Sequence, residues 1–324
     1  MQILENEPMD KHTSFRVGGP ARFFVKVENV ADMKEAFSLS RDKELPYFIL
    51  GNGTNLLVSD KGYEGIVITL VGEFSNIIDL GAGQFKVGAA TPLGRFARTA
   101  LKQGYAGIHK LAGIPGTLGG AIYMNAGAYG QEIGTHCTQV VTLDECGNTH
   151  KYSNEDCAFG YRRSVFQKAG AAHSAATTHS AGAAQAETIL SATFQLANAA
   201  GNVAGESPEQ TVARLEAELQ ECMAKRKASQ PLNMPNAGST FKRLERGSAD
   251  MPQQVAPGYY IEQAGLKGYR IGGAEVSTLH ANFIVNAGGA TARDILDLSD
   301  YVKTKVAEKF GIELQREIVL LGSF

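Results

Sequence analysis

GIPGTLGGAIYMNAGAYG, residues 113–130, carries six glycines and not one charged side chain. Glycine inside regular structure costs roughly 0.5–1 kcal/mol relative to alanine, so such a run marks backbone that turns sharply or lets something come close. A second stretch of this kind, GNGTNLLVSD (51–60), follows the apolar PYFIL. Neither has the spacing of a GxGxxG dinucleotide site or of a P-loop. Successive backbone N–H groups in tight turns still form anion-binding concavities. Asn52, Thr54, Asn55, Ser59 and Asp60 in one stretch, and Thr117, Asn125 and Tyr129 in the other, add short polar groups. On composition alone the glycines also suit ordinary tight turns. The interleaved polar residues favour two loops bracketing one long diphosphate ligand with a polar ring.

The chain has 324 residues, enough for two or three domains with their own apolar cores. Its 31 basic and 33 acidic residues give a formal charge of −2, which argues against a general nucleic-acid or anionic-membrane surface. Cys137, Cys146, Cys157 and Cys222 form no CxxC pair and have no metal-ligand spacing with the seven histidines, so they read as inert thiols. MQILENEPMDKH lacks a signal peptide's apolar centre, and no apolar run approaches the ~20 residues of a membrane span. These features predict a cytoplasmic protein.

Element patterns mix helices and strands too closely for a bundle or a sandwich, and the α+β class comes from the family resemblance given below. ARFFVKVEN (21–29) reads as a strand, NVADMKEAFSLSRDK (29–43) as a helix and PYFILG (46–51) as a buried strand. GIVITL, NIIDL and QFKVGAA follow as short strands, and PLGRFARTALKQG as an amphipathic helix. Residues 169–187 are alanine-rich and low in complexity, which predicts a mobile surface insertion with His173 and His179 exposed. ETILSATFQL (187–196) resumes a strand. Ser207-Pro208-Glu209-Gln210 has the form of a helix cap, with Val212, Leu215, Leu219 and Met223 on one face. Thr291-x-x-Asp294 opens another helix, with Ile295, Leu298, Val302, Val306 and Phe310 as its stripe, and IELQREIVLLG (312–322) ends the chain as a strand.

The ordered motifs HTSFRVGG (12–19), LGNGTNLLVSD (50–60), AGIPGTLGGAIYMNAGAYG (112–130), YRRSVF (161–166), PNAGSTFK (235–242), IEQAGLKG (261–268), VSTLHANFIVN (276–286) and QREIVLLG (315–322) together closely resemble the MurB family, the UDP-N-acetylenolpyruvoylglucosamine reductases. The resemblance runs nearly end to end, broken at 169–187. It implies a vanillyl-alcohol-oxidase-like FAD fold: FAD-binding subdomains over 1–75 and 76–204, then a substrate-binding domain over 205–324 whose last strand packs back on the first. It implies FAD held by Gly51, Asn52, Gly53, Thr54, Asn55, Gly113, Pro115, Gly116, Gly119, Gly120, Asn125 and Gly127, with His280 and Asn282 of HANF beside it. HANF marks the shorter subclass, which lacks a tyrosine loop over the substrate. The 51–60 loop has no histidine, so the flavin is expected to be non-covalent.

The implied activity is ping-pong reduction of UDP-N-acetylglucosamine enolpyruvate by NADPH, in peptidoglycan synthesis, by a monomer. Such a reduction needs a hydride for one alkene carbon, a proton for its neighbour and polar groups near the carboxylate. Ser239 matches the family's proton donor. Arg162 and Glu317 match its carboxylate-polarising pair, with Arg163 as a rival for Arg162, and a proton-donating Glu317 would need a pKa raised by burial. Tyr161, Lys242 and Arg243 fall to the substrate. Ser229 stands where many relatives have a lysine, leaving Arg226 or Lys227 as stand-ins, and Asn236 stands for the serine of PSAGS. A sugar or alcohol oxidase on the same fold and a silent nucleotide-binding scaffold are the alternatives.

Overall fold

The computed structural model describes residues 1–167, 187–200 and 206–324; the alanine-rich stretch, with His173 and His179, lies outside them apart from Glu187. The described chain is α+β and gathers into two compact units. The first comprises residues 1–4, 23–51 and 65–225, and the second residues 5–22, 52–64 and 226–324.

Helix α1 (Val30–Asp42) starts where Asn29 caps it, the side chain accepting the Asp32 N–H at 2.9 Å. The strand Tyr47–Leu50 then pairs in parallel with Tyr63–Leu70, in a sheet ordered Gln2–Pro8, Pro20–Val27, Tyr63–Leu70, Tyr47–Leu50. Phe23, Val25, Met33, Phe37, Ile66 and Ile68 form one apolar cluster of the first unit. The other surrounds α2 (Leu93–Lys102) and the five-stranded sheet ordered Thr149–Ser153, Cys137–Asp144, Glu187–Gln195, Gln84–Gly88, Ile77–Gly81. Phe85, Phe96 and Phe194 meet there at tilted or edge-on angles, with centroids 5.0–5.8 Å apart. Helix α3 (Leu118–Tyr123) packs Leu118, Ala121 and Ile122 into the same cluster.

Helix α4 (Pro208–Ser229) carries the capping box read in its sequence. Gln210 N–H reaches Ser207 Oγ, and Ser207 N–H reaches Gln210 Oε1. The sequence puts this helix at the head of the last domain, but Leu215 and Leu219 are buried in the first unit's core, and the chain enters the second unit only at Arg226. Cys137, Cys157 and Cys222 are buried and Cys146 is exposed. Burial raises the Cys137 and Cys157 thiols to about 12, so both are inert at neutral pH.

The second unit is organised by α5 (Pro257–Gln263) and by α6 (Ala292–Phe310), on which the strands Ala274–Val276 and Ile284–Asn286 pack. The Thr291–Asp294 capping box is present, Gly311 ends α6 at φ +66°, and Ile295, Leu298, Val302 and Val306 are buried as their spacing predicts. Asp60, from the 51–60 loop, adds a second cap by accepting the Ala292 and Arg293 N–H groups at 2.8 and 2.9 Å. Of the predicted 312–322 strand only Val319–Leu321 is regular, paired in parallel with Leu56–Val58. Among the described residues no helix is long and apolar enough to cross a membrane.

Leu298 is fully buried against neighbours from several elements. Leu298→Ala is expected to cost about 2–5 kcal/mol of stability, while Asp297→Ala, on the exposed face, changes it by no more than about 1 kcal/mol. Urea denaturation of the two variants checks the contrast.

Candidate active site

In the first unit the glycine run has two sides. Leu118, Ala121 and Ile122 face the core, while Gly113, Gly116, Gly119, Gly120 and Gly127 keep partly or fully exposed backbone and Pro115 is exposed. Gly116 sits at φ +137°, a conformation closed to other residues. The two glycine stretches meet there: a Cβ on Gly51 would come within 2.7 Å of Thr117 Oγ1. Bare, accessible backbone at Gly51 and along the glycine run fits the diphosphate ligand predicted above.

Asn125 lies below this surface. It is 1 % exposed, and its carboxamide accepts the Gly134 N–H and donates to Gly160 O and Glu132 Oε2, each at 3.0 Å. These bonds hold the glycine run to its neighbours, and each polar atom of the Asn125 side chain has a partner within the fold.

Tyr161 and Arg162 form the tip of a two-residue turn closed by reciprocal hydrogen bonds between Gly160 and Arg163 at 2.9 and 3.0 Å. Arg162 occupies the left-handed region at φ +50°, which costs a non-glycine residue about 1–2 kcal/mol. The turn is held by Gln167, whose Nε2 donates to Arg162 O and Tyr123 O, and by the Arg162 guanidinium, which stacks on Tyr161 and reaches Gly127 O at 3.3 Å. Arg163 is exposed. The geometry therefore directs Arg162, and not Arg163, towards the glycine run. No pattern in the sequence singles out Gln167, since its role comes from where the turn folds.

In the second unit four distant motifs converge. Ser239, half-buried, follows Gly238 at φ +78°, whose N–H is accepted by Asn236 Oδ1 at 2.9 Å. Thr240 O accepts the Glu317 N–H at 2.8 Å and Gln315 O accepts the Lys242 N–H at 2.9 Å, so the segments that carry Ser239 and Glu317 are adjacent. Asn55 Nδ2 donates to Glu317 O at 3.1 Å, and Asn55 O accepts the Val319 N–H. Arg316 Nε bonds Ser299 Oγ on α6, tying the same segment to the helix. Lys242 is half-buried and Arg243 exposed.

Gly53, at φ +60°, lies so close to His12 that a Cβ would meet the His12 carbonyl at 2.0 Å. Asn52 is exposed and Thr54 half-buried, whereas Ser59 spends its hydroxyl on Ser323 O at 2.6 Å. Asn282 is 5 % exposed and its carboxamide is bonded to Phe241, not presented to a ligand. His280 Nδ1 accepts the Asn282 N–H at 3.2 Å, and the ring stands edge-on to Phe283. Burial holds its pKa below the ordinary histidine value. Among the described residues no group of three or more His, Cys, Asp or Glu is placed to hold a metal ion.

Residues 21–152 match the FAD binding domain family, and residues 230–321 match the UDP-N-acetylenolpyruvoylglucosamine reductase C-terminal domain. The molecule is thus a flavin-binding oxidoreductase. A UDP-N-acetylenolpyruvoylglucosamine reductase from Caldanaerobacter subterraneus subsp. tengcongensis is 40 % identical over 99 % of this chain and 94 % of its own, and one from Bacillus velezensis is 36 % identical at the same coverage. The crystal structure of UDP-N-acetylenolpyruvylglucosamine reductase (MurB) from Thermus caldophilus superposes with a TM-score of 0.74 at 32 % identity, over 99 % of this chain and 98 % of that one. The chain belongs to the UDP-N-acetylenolpyruvoylglucosamine reductase family.

Arg162→Gly relieves the left-handed strain that Arg162→Ala keeps, so the glycine variant should be the more stable by about 1 kcal/mol, read as the difference in denaturation midpoint. His280 should titrate below the ordinary histidine range, seen by NMR of the ring. Because the unfolded ring takes up its proton first, His280 removes stability as pH falls below about 6.5.

Proposed function

We propose that this chain holds non-covalent FAD and uses NADPH to reduce UDP-N-acetylglucosamine enolpyruvate to UDP-N-acetylmuramate, a peptidoglycan precursor, acting as a cytoplasmic monomer. Family membership over the whole chain supports the reaction. The observation that supports the residue assignment is the 2.8 Å bond from Glu317 N–H to Thr240 O, the residue that follows Ser239.

Bound FAD supplies the hydride, received from NADPH. The exposed backbone of Gly51, Gly113, Gly116, Gly119, Gly120 and Gly127, with Pro115, Asn52, Gly53, Thr54 and Asn55, is assigned to holding it. Hydride addition to one alkene carbon leaves its neighbour as a basic enolate carbon. Ser239 Oγ, a weak acid, can protonate such a carbon because the carbon is the stronger base. Arg162 is assigned to the substrate carboxylate, where a planar guanidinium pairs with two oxygens at once. Glu317 stabilises the charge that develops there. Tyr161, Lys242 and Arg243 are assigned to the UDP-sugar, the two cations meeting its diphosphate.

Ser239→Ala should leave bleaching of the flavin band by NADPH unchanged under anaerobic conditions and slow its return with the enolpyruvyl UDP-sugar by at least about 100-fold. Equal loss in both half-reactions, or return of the band with oxygen alone, would overturn the assignment.

A further inference from the structure

We propose that Asn282 is a positioning residue for proton delivery: its carboxamide takes the place of a missing β-strand and holds the segment that carries Ser239. The inference rests on Ser239 being the proton donor.

Asn282 Oδ1 accepts the Phe241 N–H at 3.0 Å, and its Nδ2 donates to Phe241 O at 2.9 Å. A carboxamide presents one acceptor and its donors in a plane, as a peptide unit does, so it can close both bonds of one strand residue. The main chain of Asn282 adds a third bond by accepting the Thr240 N–H at 2.8 Å. Ile284 N–H completes this side by donating to Thr240 Oγ1. Residues 315–317 serve the opposite side through Glu317 N–H to Thr240 O and Lys242 N–H to Gln315 O. Thr240 and Phe241 are each 1 % exposed, so water cannot replace a bond that is lost.

The segment is thus locked immediately after Ser239, and on the other side Asn236 Oδ1 fixes the Gly238 N–H. Ser239 is the link between two held points. Releasing Phe241 loosens the serine relative to Glu317 without removing any group that meets the substrate, and displacement by about 1 Å can cost on the order of 100-fold in rate.

Asn282→Asp and Asn282→Ala test this. In Asn282→Asp, an ionised carboxylate would face Phe241 O with an acceptor and open the clamp, whereas a protonated one would restore a donor and close it. The titratable neighbour is His280, whose ring accepts the Asn282 N–H and feels Lys267 and Glu262; a new carboxylate would shift the titration of that ring, so it is followed by NMR in wild type and in each variant. Each rate is taken as a ratio to wild type at the same pH. Flavin content and flavin reduction by NADPH should stay within about 2-fold of wild type, and reoxidation by the enolpyruvyl UDP-sugar should slow about 10- to 100-fold at pH 8. The Asn282→Asp ratio should recover towards wild type as the pH is lowered towards ~5.5, while the Asn282→Ala ratio stays flat.

Reoxidation at the wild-type rate in either variant would overturn the proposal, as would equal slowing of both half-reactions or an Asn282→Asp ratio independent of pH. Loss of flavin from both variants would assign Asn282 to cofactor binding or to folding instead. Ser239→Ala, run in parallel, separates the two claims: if it reoxidises normally, the proton-donor assignment falls, whatever the Asn282 variants do.

Discussion

Thr240 and Phe241 are buried residues outside any regular strand, joined to the 315–317 segment by one isolated bridge. Their N–H and C=O groups must be bonded, because an unpaired buried polar group costs about 1–3 kcal/mol. Residues 315–317 supply one side and the single residue Asn282 supplies the other. The convergence of PNAGSTFK, HANF and QREIVLLG is the result of that requirement. Asn55 brings in the GNGTN loop by bonding Glu317 O on the same segment. Four stretches far apart in sequence thereby share one hydrogen-bond network, and Ser239 and Glu317 belong to it by position.

Asparagine recurs at several places where the backbone lacks a main-chain partner. Asn236 holds Gly238, Asn286 donates to Phe15 O, Asn125 binds Gly134 and Gly160, and Asn154 donates to Gly134 O and Cys137 O. A chain rich in tight turns has many main-chain groups that no ladder can satisfy, and a short amide side chain pairs them locally. Asn236 shows how a departure from the family pattern is accommodated. It stands where PSAGS has serine, it keeps an acceptor for Gly238, and it gains donors to Pro231 O and Met234 O.

Glycine and strain complete the arrangement. Gly53 lets the loop pass against His12 where any side chain would collide, and Gly51 lets one glycine stretch adjoin the other. Arg162 is held left-handed, although glycine would suit that place better on energetic grounds alone. Strain of this kind persists only where surrounding contacts over-determine it, and Gln167, Tyr161 and Gly127 do so here.

Local patterns settled much of the molecule. The capping boxes at Ser207 and Thr291 and the stripe from Ile295 to Val306 need only near neighbours in sequence, and they appear in the fold where their spacing puts them. The eight ordered motifs sufficed for the family. Tertiary structure alone decided which polar residues are spent within the fold and which remain available. Asn125 and Asn282 look like ligand groups in sequence and are buried peptide surrogates in space; Asp60, in the glycine loop, caps a helix more than two hundred residues away. It also decided that α4 belongs with the first unit, since an apolar stripe declares that it will be buried but not against which core. Hydrogen-bond satisfaction and burial are sums over neighbours, and those neighbours come from everywhere along the chain.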